Sequence, residues 1–321
     1  MSGVRRGDIG AGYYVALIGA TFLMASSFIA SKILLTADVP PLMLAGWRFF
    51  IGSFAVLPLV LFAKSSFPTT LMPPHFTLRD WIIVSLIGLF QTAGTTGLLF
   101  LAMRTISAGT AAILLFTNPL WVALIGHFIL RERLSGLRLG GLFCGIFGVS
   151  LALGASGTGL SHEPLEGQLI GVASAICWAL ATILLKRTRL SINVWALNFW
   201  QMFVGALLLL AVAYALAEHV PLVALASIKL WECFFWLVVP CSAGAYSLWF
   251  LALHRGGATQ TSGYLFIVPL FTVIMSALFL GTGLSLAQAC GGVLVGVALW
   301  LVNRNPPAVL AAATTGSATG R

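Results

Sequence analysis

Apolar residues run along this chain in ten stretches of roughly 20 positions, and short polar loops separate them. A helix needs about 20 predominantly apolar residues to cross a bilayer. The stretches lie at roughly 12–35, 41–63, 81–103, 106–130, 137–154, 166–187, 195–216, 230–253, 256–281 and 285–303. Each reads as a membrane-spanning helix, so the expected fold class is an all-α integral membrane protein with ten transmembrane helices. A strand barrel would alternate apolar and polar residues in segments of about 10. These runs are instead continuous and rich in Leu, Ala and Gly. Arg5 and Arg6 precede the first run as they would in a signal peptide. That run exceeds a signal core of about 7–15 residues and ends in no A-x-A site, so it counts as the first span.

The pattern repeats. SAGTAAILLFTNPL at 107–120 returns as GATQTSGYLFIVPL at 257–270, each with a proline, Pro119 or Pro269, midway through an apolar run. LLFLAM at 98–103 faces LWFLAL at 248–253, IGATFL at 18–23 faces IGVASA at 170–175, and Trp47 with Gly52 faces Trp200 with Gly205. Five spans per unit is an odd number, so a second unit strung in series must lie inverted. Inverted repeats with helices broken at corresponding places point to a secondary transporter. The expected organisation is a cytoplasmic segment at 1–11, a first repeat at 12–155, an inverted second repeat at 166–303 and a disordered cytoplasmic tail at 304–321. The loop at 64–80 reads as a connector on the membrane surface, with a cover over a pathway mouth as its alternative.

Composition agrees: 60% of residues are hydrophobic, 8% are charged and mean hydropathy is +1.03. The net charge of +9 follows topology rather than nucleic-acid binding. With the N-terminus cytoplasmic, thirteen Lys and Arg fall on the cytoplasmic side and three, Lys32, Arg104 and Lys229, on the other. That is the positive-inside bias, with both termini cytoplasmic. The five cysteines show no C-x-x-C spacing, and neither a metal nor a cofactor is expected. Glycines at small-residue spacing mark spans five and ten as close-packing helices, within one chain rather than across a dimer.

Candidate chemistry lies on repeated faces. Ser242, Tyr246 and Trp249 share one helical face, and their counterparts are Thr92, Thr96 (with Thr95 beside it) and Leu99. Gln260, Tyr264 and Ile267 share another, opposite Thr110, Leu114 and Thr117, with Asn118 adjacent. Ser174, Trp178 and Thr182 face Phe22, Ser26 and Ala30 of span one. Spans 1, 3, 4, 6, 8 and 9 are therefore expected to line a cavity, with the other four outside. A single Ser or Thr in a membrane helix more often bonds its own i−4 carbonyl or a neighbouring helix. The shared register supports the set rather than each member. Pro119 and Pro269 are expected to kink their helices and free the Leu115 and Leu265 carbonyls.

No Asp or Glu falls in the middle of a span, which argues against proton coupling through a carboxylate and for downhill transport. Arg48 lies about two turns inside span two. It could bind a substrate carboxylate, but a structural partner is the expectation: the freed carbonyls or Asp38. Lys32 is expected to snorkel to the interface.

LLFLAM together with TISAGTAAILLFTNPLWVALIGHFILRERLSGLRLGGLFCGIFGVSLAL resembles the signature of the EamA branch of the drug/metabolite transporter superfamily. The matching pieces are the end of span three, Pro119, the turn at Glu132, Gly140–Gly141, and Trp47-Arg48-Phe49. The second repeat departs at Thr282, opposite Glu132, and at Gln201, opposite Arg48. The resemblance looks closest to YddG-type exporters of aromatic amino acids and methyl viologen. It implies alternating access and amino-acid efflux across the inner membrane, with lipid and a small-molecule substrate as partners. Trp178, Tyr246 and Tyr264 would meet the side chain, with Asn118, Gln260 and the carbonyls near the prolines at the charged ends. A multidrug or organic-cation exporter is the alternative; a passive channel or membrane enzyme is less favoured. A monomer is favoured.

Overall fold

The computed structural model describes residues 11–61, 70–73, 75–129, 136–154, 163–188, 190, 192–222, 226–256, 264–281 and 286–304. The chain is all-helical: helix takes up 87% and there is no strand among the described residues. In chain order the helices are α1 (Ala11–Thr36), α2 (Pro41–Leu61), α3 (Leu78–Ile87), α4 (Thr95–Ala102), α5 (Ala108–Leu115), α6 (Asn118–Ile129) and α7 (Gly136–Gly154). They continue as α8 (Leu165–Arg187), α9 (Val194–Ala215), α10 (Ile228–Val238), α11 (Ala245–Gly256), α12 (Ile267–Leu280) and α13 (Leu286–Arg304). Among the described residues, seven segments are long and apolar enough to cross a membrane, and Ile267–Leu280 and Ala289–Ala298 are shorter apolar helices.

Span three is not a plain α-helix. α3 passes into a π-helical segment, Gly88–Gly94, before α4 begins. Span eight does the same: α10 runs into a second π segment, Val239–Gly244, before α11. In each the backbone closes five residues back, with the Thr95 N–H donating to the Phe90 carbonyl and the Ala245 N–H to Pro240. A π turn holds one extra residue and locally widens the helix. On one of the two facing helices a glycine makes room. A Cβ on Gly205 of α9 would sit 2.4 Å from Thr92 Cβ and 2.6 Å from the Gly88 carbonyl oxygen. A Cβ on Gly52 of α2 would sit 3.5 Å from Ser242 Cβ, in ordinary contact.

The prolines act differently from the expected kinks. α5 ends at Leu115, and α6 begins at Asn118 with Pro119 in its second position. Pro269 lies in the first turn of α12, after a short 3-10 turn at Tyr264–Phe266. A proline in a first turn removes no helical hydrogen bond, so it starts a helix instead of bending one.

Packing pairs the elements in a regular way. α1 packs on α10, the second π segment, α11 and α12. α8 packs on α3, the first π segment, α4, α5 and α6. α2 packs on α9, and α7 on α13. Each pairing maps onto another when an element is exchanged for its counterpart about 150 residues away. All of α5 is buried, which suits a run of Ala, Gly and Leu with no polar face to present outward. The main core gathers around it from α1, α2, α4, α9 and α13.

The glycines of spans five and ten divide by role. A Cβ on Gly148 would lie 2.9 Å from the Gly291 carbonyl oxygen, so these two backbones nearly touch. Gly136, Gly140 and Gly296 face open space and serve no such approach. Phe143 and Phe147 point away from the protein on α7, as lipid-facing residues do.

Two carboxylates and one ammonium fix helix ends. Glu218 accepts from the Met43 N–H at 2.8 Å and Glu163 from the Ser107 N–H at 2.9 Å, each at a helix N-terminus. Lys32 does not snorkel outward. Its Nζ donates to the carbonyls of Met103 at 2.5 Å and Ile106 at 2.8 Å, where α4 ends and leaves acceptors open. The end of the 64–80 loop is pinned as well, since Trp200 Nε1 donates to the Leu71 carbonyl at 2.9 Å.

Candidate transport site

The two π segments each carry a buried hydroxyl, Thr92 and Ser242, at equivalent positions. Thr92 Oγ1 donates to Gln201 Oε1 at 2.7 Å, and Gln201 Nε2 donates to Asn198 Oδ1 at 2.9 Å. Ser242 Oγ donates to the Leu237 carbonyl at 2.9 Å and accepts from Arg48 Nε at 3.3 Å. Gln201 and Arg48 are themselves equivalent, so each half sends one side chain from its second span to the π turn of the other.

This corrects two expectations. Arg48 meets Ser242 rather than Asp38 or the carbonyls before the prolines. Spans two and seven are also not bystanders, because α2 and α9 supply buried polar groups. Arg48 belongs to no polar stripe and reaches its partner by length. Its guanidinium lies over two rings, with Cζ 5.0 Å from the Phe49 centroid and 5.9 Å from Phe100. Such stacking is favourable for a cation. Close by, Ser26 accepts from Trp236 Nε1 at 2.9 Å and lies 3.4 Å from Cys241 Sγ, tying α1 to span eight.

The other predicted residues fall into separate groups. Trp178 packs edge-on against Phe116 at 5.8 Å, and Phe116 leans on Phe28, so Trp178 sits at the break before α6. Asn118 begins that helix. It is buried, and its Nδ2 has no hydrogen-bond partner among the described residues. Tyr246 packs with Phe49, Val56 and Met202, near Arg48. Trp249 and Tyr264 pack together with Tyr13 and Leu17, in a third cluster. Trp178, Tyr246 and the Trp249–Tyr264 pair thus belong to different packing groups and form no single aromatic box. Gln260 lies outside the described residues.

Several hydroxyls turn back on their own helices. Thr182 donates to the Trp178 carbonyl at 2.9 Å, Thr95 to Phe90 at 2.8 Å and Thr117 to Leu114 at 2.6 Å. Their protons are committed, and each keeps only acceptor capacity. Thr96 is buried and makes no hydrogen bond among the described residues.

Two clefts open elsewhere. An apolar one of about 360 Å³ is lined by Leu34, Met43, Trp47, Leu230 and Phe234, between the ends of α1, α2 and α10. Another, of about 620 Å³, lies between α3 and α8 beside Arg79 and Arg187. Neither contains a residue of the predicted faces. Volume alone is a poor guide here, and the buried polar groups mark the more informative place. Among the described residues, no three His, Cys, Asp or Glu converge to hold a metal.

The EamA-like transporter family matches residues 11–154 and again residues 165–304. The chain belongs to this family. It is a multi-pass membrane protein of a transporter family, not an enzyme family. Among EamA-like proteins it is similar to the uncharacterized transporter YoaV of Bacillus subtilis (strain 168), 27% identical over 88% of this chain and 93% of that protein. It is also similar to a protein of Salmonella typhimurium named a probable amino-acid metabolite efflux pump, 26% identical over 82% of this chain and 85% of that one. A protein of known crystal structure shares the fold, with a TM-score of 0.62 at 20% identity over 94% of this chain and 99% of that one.

Proposed function

We propose that this EamA-like protein exports amino acids, aromatic and other large neutral ones, by alternating access across the inner membrane. Ten transmembrane helices form two inverted five-helix repeats, with both termini cytoplasmic. The observation that carries the reading is the exchange symmetry of the packing. The first helix of each half grips the third and fourth spans of the other, at matched π segments. Such an arrangement has two equivalent ways to rock about a central site, which is how inverted repeats alternate access. Transport is facilitative, since no carboxylate is buried among the described residues.

The name of the Salmonella relative supports an amino-acid cargo. Asn118, with an open amide donor at the head of α6, is suited to a charged or polar end. Trp178 beside the same break offers an aromatic face, and Tyr246 offers a second. An organic-cation exporter is the second reading, favoured by the same rings. Uptake of labelled phenylalanine, tryptophan and leucine into proteoliposomes tests the proposal. Flux above empty vesicles, competed by unlabelled amino acids and not by methyl viologen, is expected. Flux no greater than in empty vesicles, or competed only by the dication, refutes it.

A further inference from the structure

We infer that Arg48 is the carboxylate anchor of the transport site, and that the cargo must carry an anionic group to be held there. The consequence for transport rests on the exporter reading above, whereas the binding claim can be tested without it.

Arg48 is the one buried charged side chain among the described residues. It lies about 10 Å inside α2 from Pro41, by the helical rise. No carboxylate among the described residues pairs with it. Of its five N–H donors, Nε alone is used, and among the described residues the terminal nitrogens meet no acceptor. Arg48 is only 7% exposed, and an ionisable residue at membrane depth ordinarily has a charged partner. Among the described residues it has none.

The surroundings hold the group ready. The Ser242 hydroxyl gives its proton to the Leu237 carbonyl, so only a lone pair remains to face Arg48. That acceptor fixes the Nε edge. The rings of Phe49 and Phe100 lie beside the guanidinium, which steadies it while leaving terminal N–H groups in its plane. A planar fork so held suits a carboxylate, which accepts two parallel hydrogen bonds. Cys241 and Tyr246, which also lie near it, carry donors rather than formal negative charge.

The other half supplies a control within the molecule. Gln201 occupies the position equivalent to Arg48 and also meets a π-turn hydroxyl. It accepts from Thr92 and donates to Asn198. A neutral amide is therefore enough to hold a π turn in place. The charge at position 48 exceeds that structural need. An anionic cargo accounts for the excess and an organic dication does not. The ligand class is a monocarboxylate with an apolar side chain.

The test is binding by the full chain in detergent, read as the shift in melting temperature. Phenylalanine, leucine, phenylacetate, phenylalaninamide and phenethylamine are titrated against wild type, Arg48→Gln and Arg48→Lys. At least one carboxylate should bind wild type tenfold or more tightly than its matched amide or amine. Arg48→Gln should bring that ratio near one, and Arg48→Lys should keep part of it. A ratio near one in wild type overturns the inference even if the variants do not fold. So does an unchanged ratio in Arg48→Gln, or no shift of wild type by any carboxylate. A flux measurement separates the two proposals. Carboxylate-selective binding without flux leaves the anchor standing and sinks the exporter. Flux of amino acid and amide alike sinks the anchor and leaves the exporter.

Discussion

Gly205 and Gly52 occupy equivalent places, yet one methyl group should affect them in opposite directions. In Gly205→Ala the new Cβ would lie 2.4 Å from Thr92 Cβ and 2.6 Å from the Gly88 carbonyl oxygen. Neither neighbour is the loose end of a side chain, so α9 and the π segment must move apart. Overpacking of this kind costs about 1–3 kcal/mol. Separation also stretches the 2.7 Å Thr92–Gln201 hydrogen bond, worth about 0.6 kcal/mol between membrane helices. The better helix propensity of alanine returns about 1 kcal/mol. The net loss is about 0.6–2.6 kcal/mol, read as a fall of roughly 1–10 °C in melting temperature. In Gly52→Ala the nearest atom is 3.5 Å away, so only the propensity gain of about 1 kcal/mol applies. Its melting temperature should hold or rise. Thermal unfolding of both variants in one detergent decides the matter. A Gly205→Ala protein as stable as Gly52→Ala would refute the tight approach of α9 to the π segment.

Other expectations follow from single contacts. Lys32→Met removes both donors to the Met103 and Ile106 carbonyls and should cost about 1–3 kcal/mol in thermal unfolding. Thr92→Val should cost about 1 kcal/mol in thermal unfolding by leaving the Gln201 carbonyl without its donor. Gly148→Val should force α7 from α13 at the 2.9 Å approach to Gly291 and lower stability by about 1–3 kcal/mol. Trp178→Ala should weaken transport of bulky substrates selectively in a proteoliposome panel; an unchanged substrate profile would remove Trp178 from the site.

Much of this was legible from pattern. Uninterrupted apolar runs reported helices, because a membrane helix satisfies its backbone internally. Pro119 and Pro269 marked the breaks, although their effect was misjudged: a kink and a fresh helix start look alike in sequence. The π segments were not legible. Gly88–Gly94 and Val239–Gly244 read as ordinary apolar helix, and the first is accommodated by Gly205, more than 100 positions away. Arg48 was visible as a charge inside a span, but its partner is 194 residues distant. The predicted faces assumed uniform helical phase, whereas the structure places Tyr246 with Phe49 and Met202, and Trp249 with Tyr13. Glu163 and Glu218 were correctly read as lying off the spans, but the N–H groups they hold belong to distant elements.

Alternating access with a carboxylate-bearing cargo is the central claim, and counterflow tests it most directly. Proteoliposomes loaded with unlabelled phenylalanine and diluted into a trace of the labelled form should accumulate label transiently above its equilibrium level. Loading with phenylalaninamide should not produce the overshoot. Label that merely equilibrates, at a rate linear in concentration and indifferent to internal amino acid, would contradict the account.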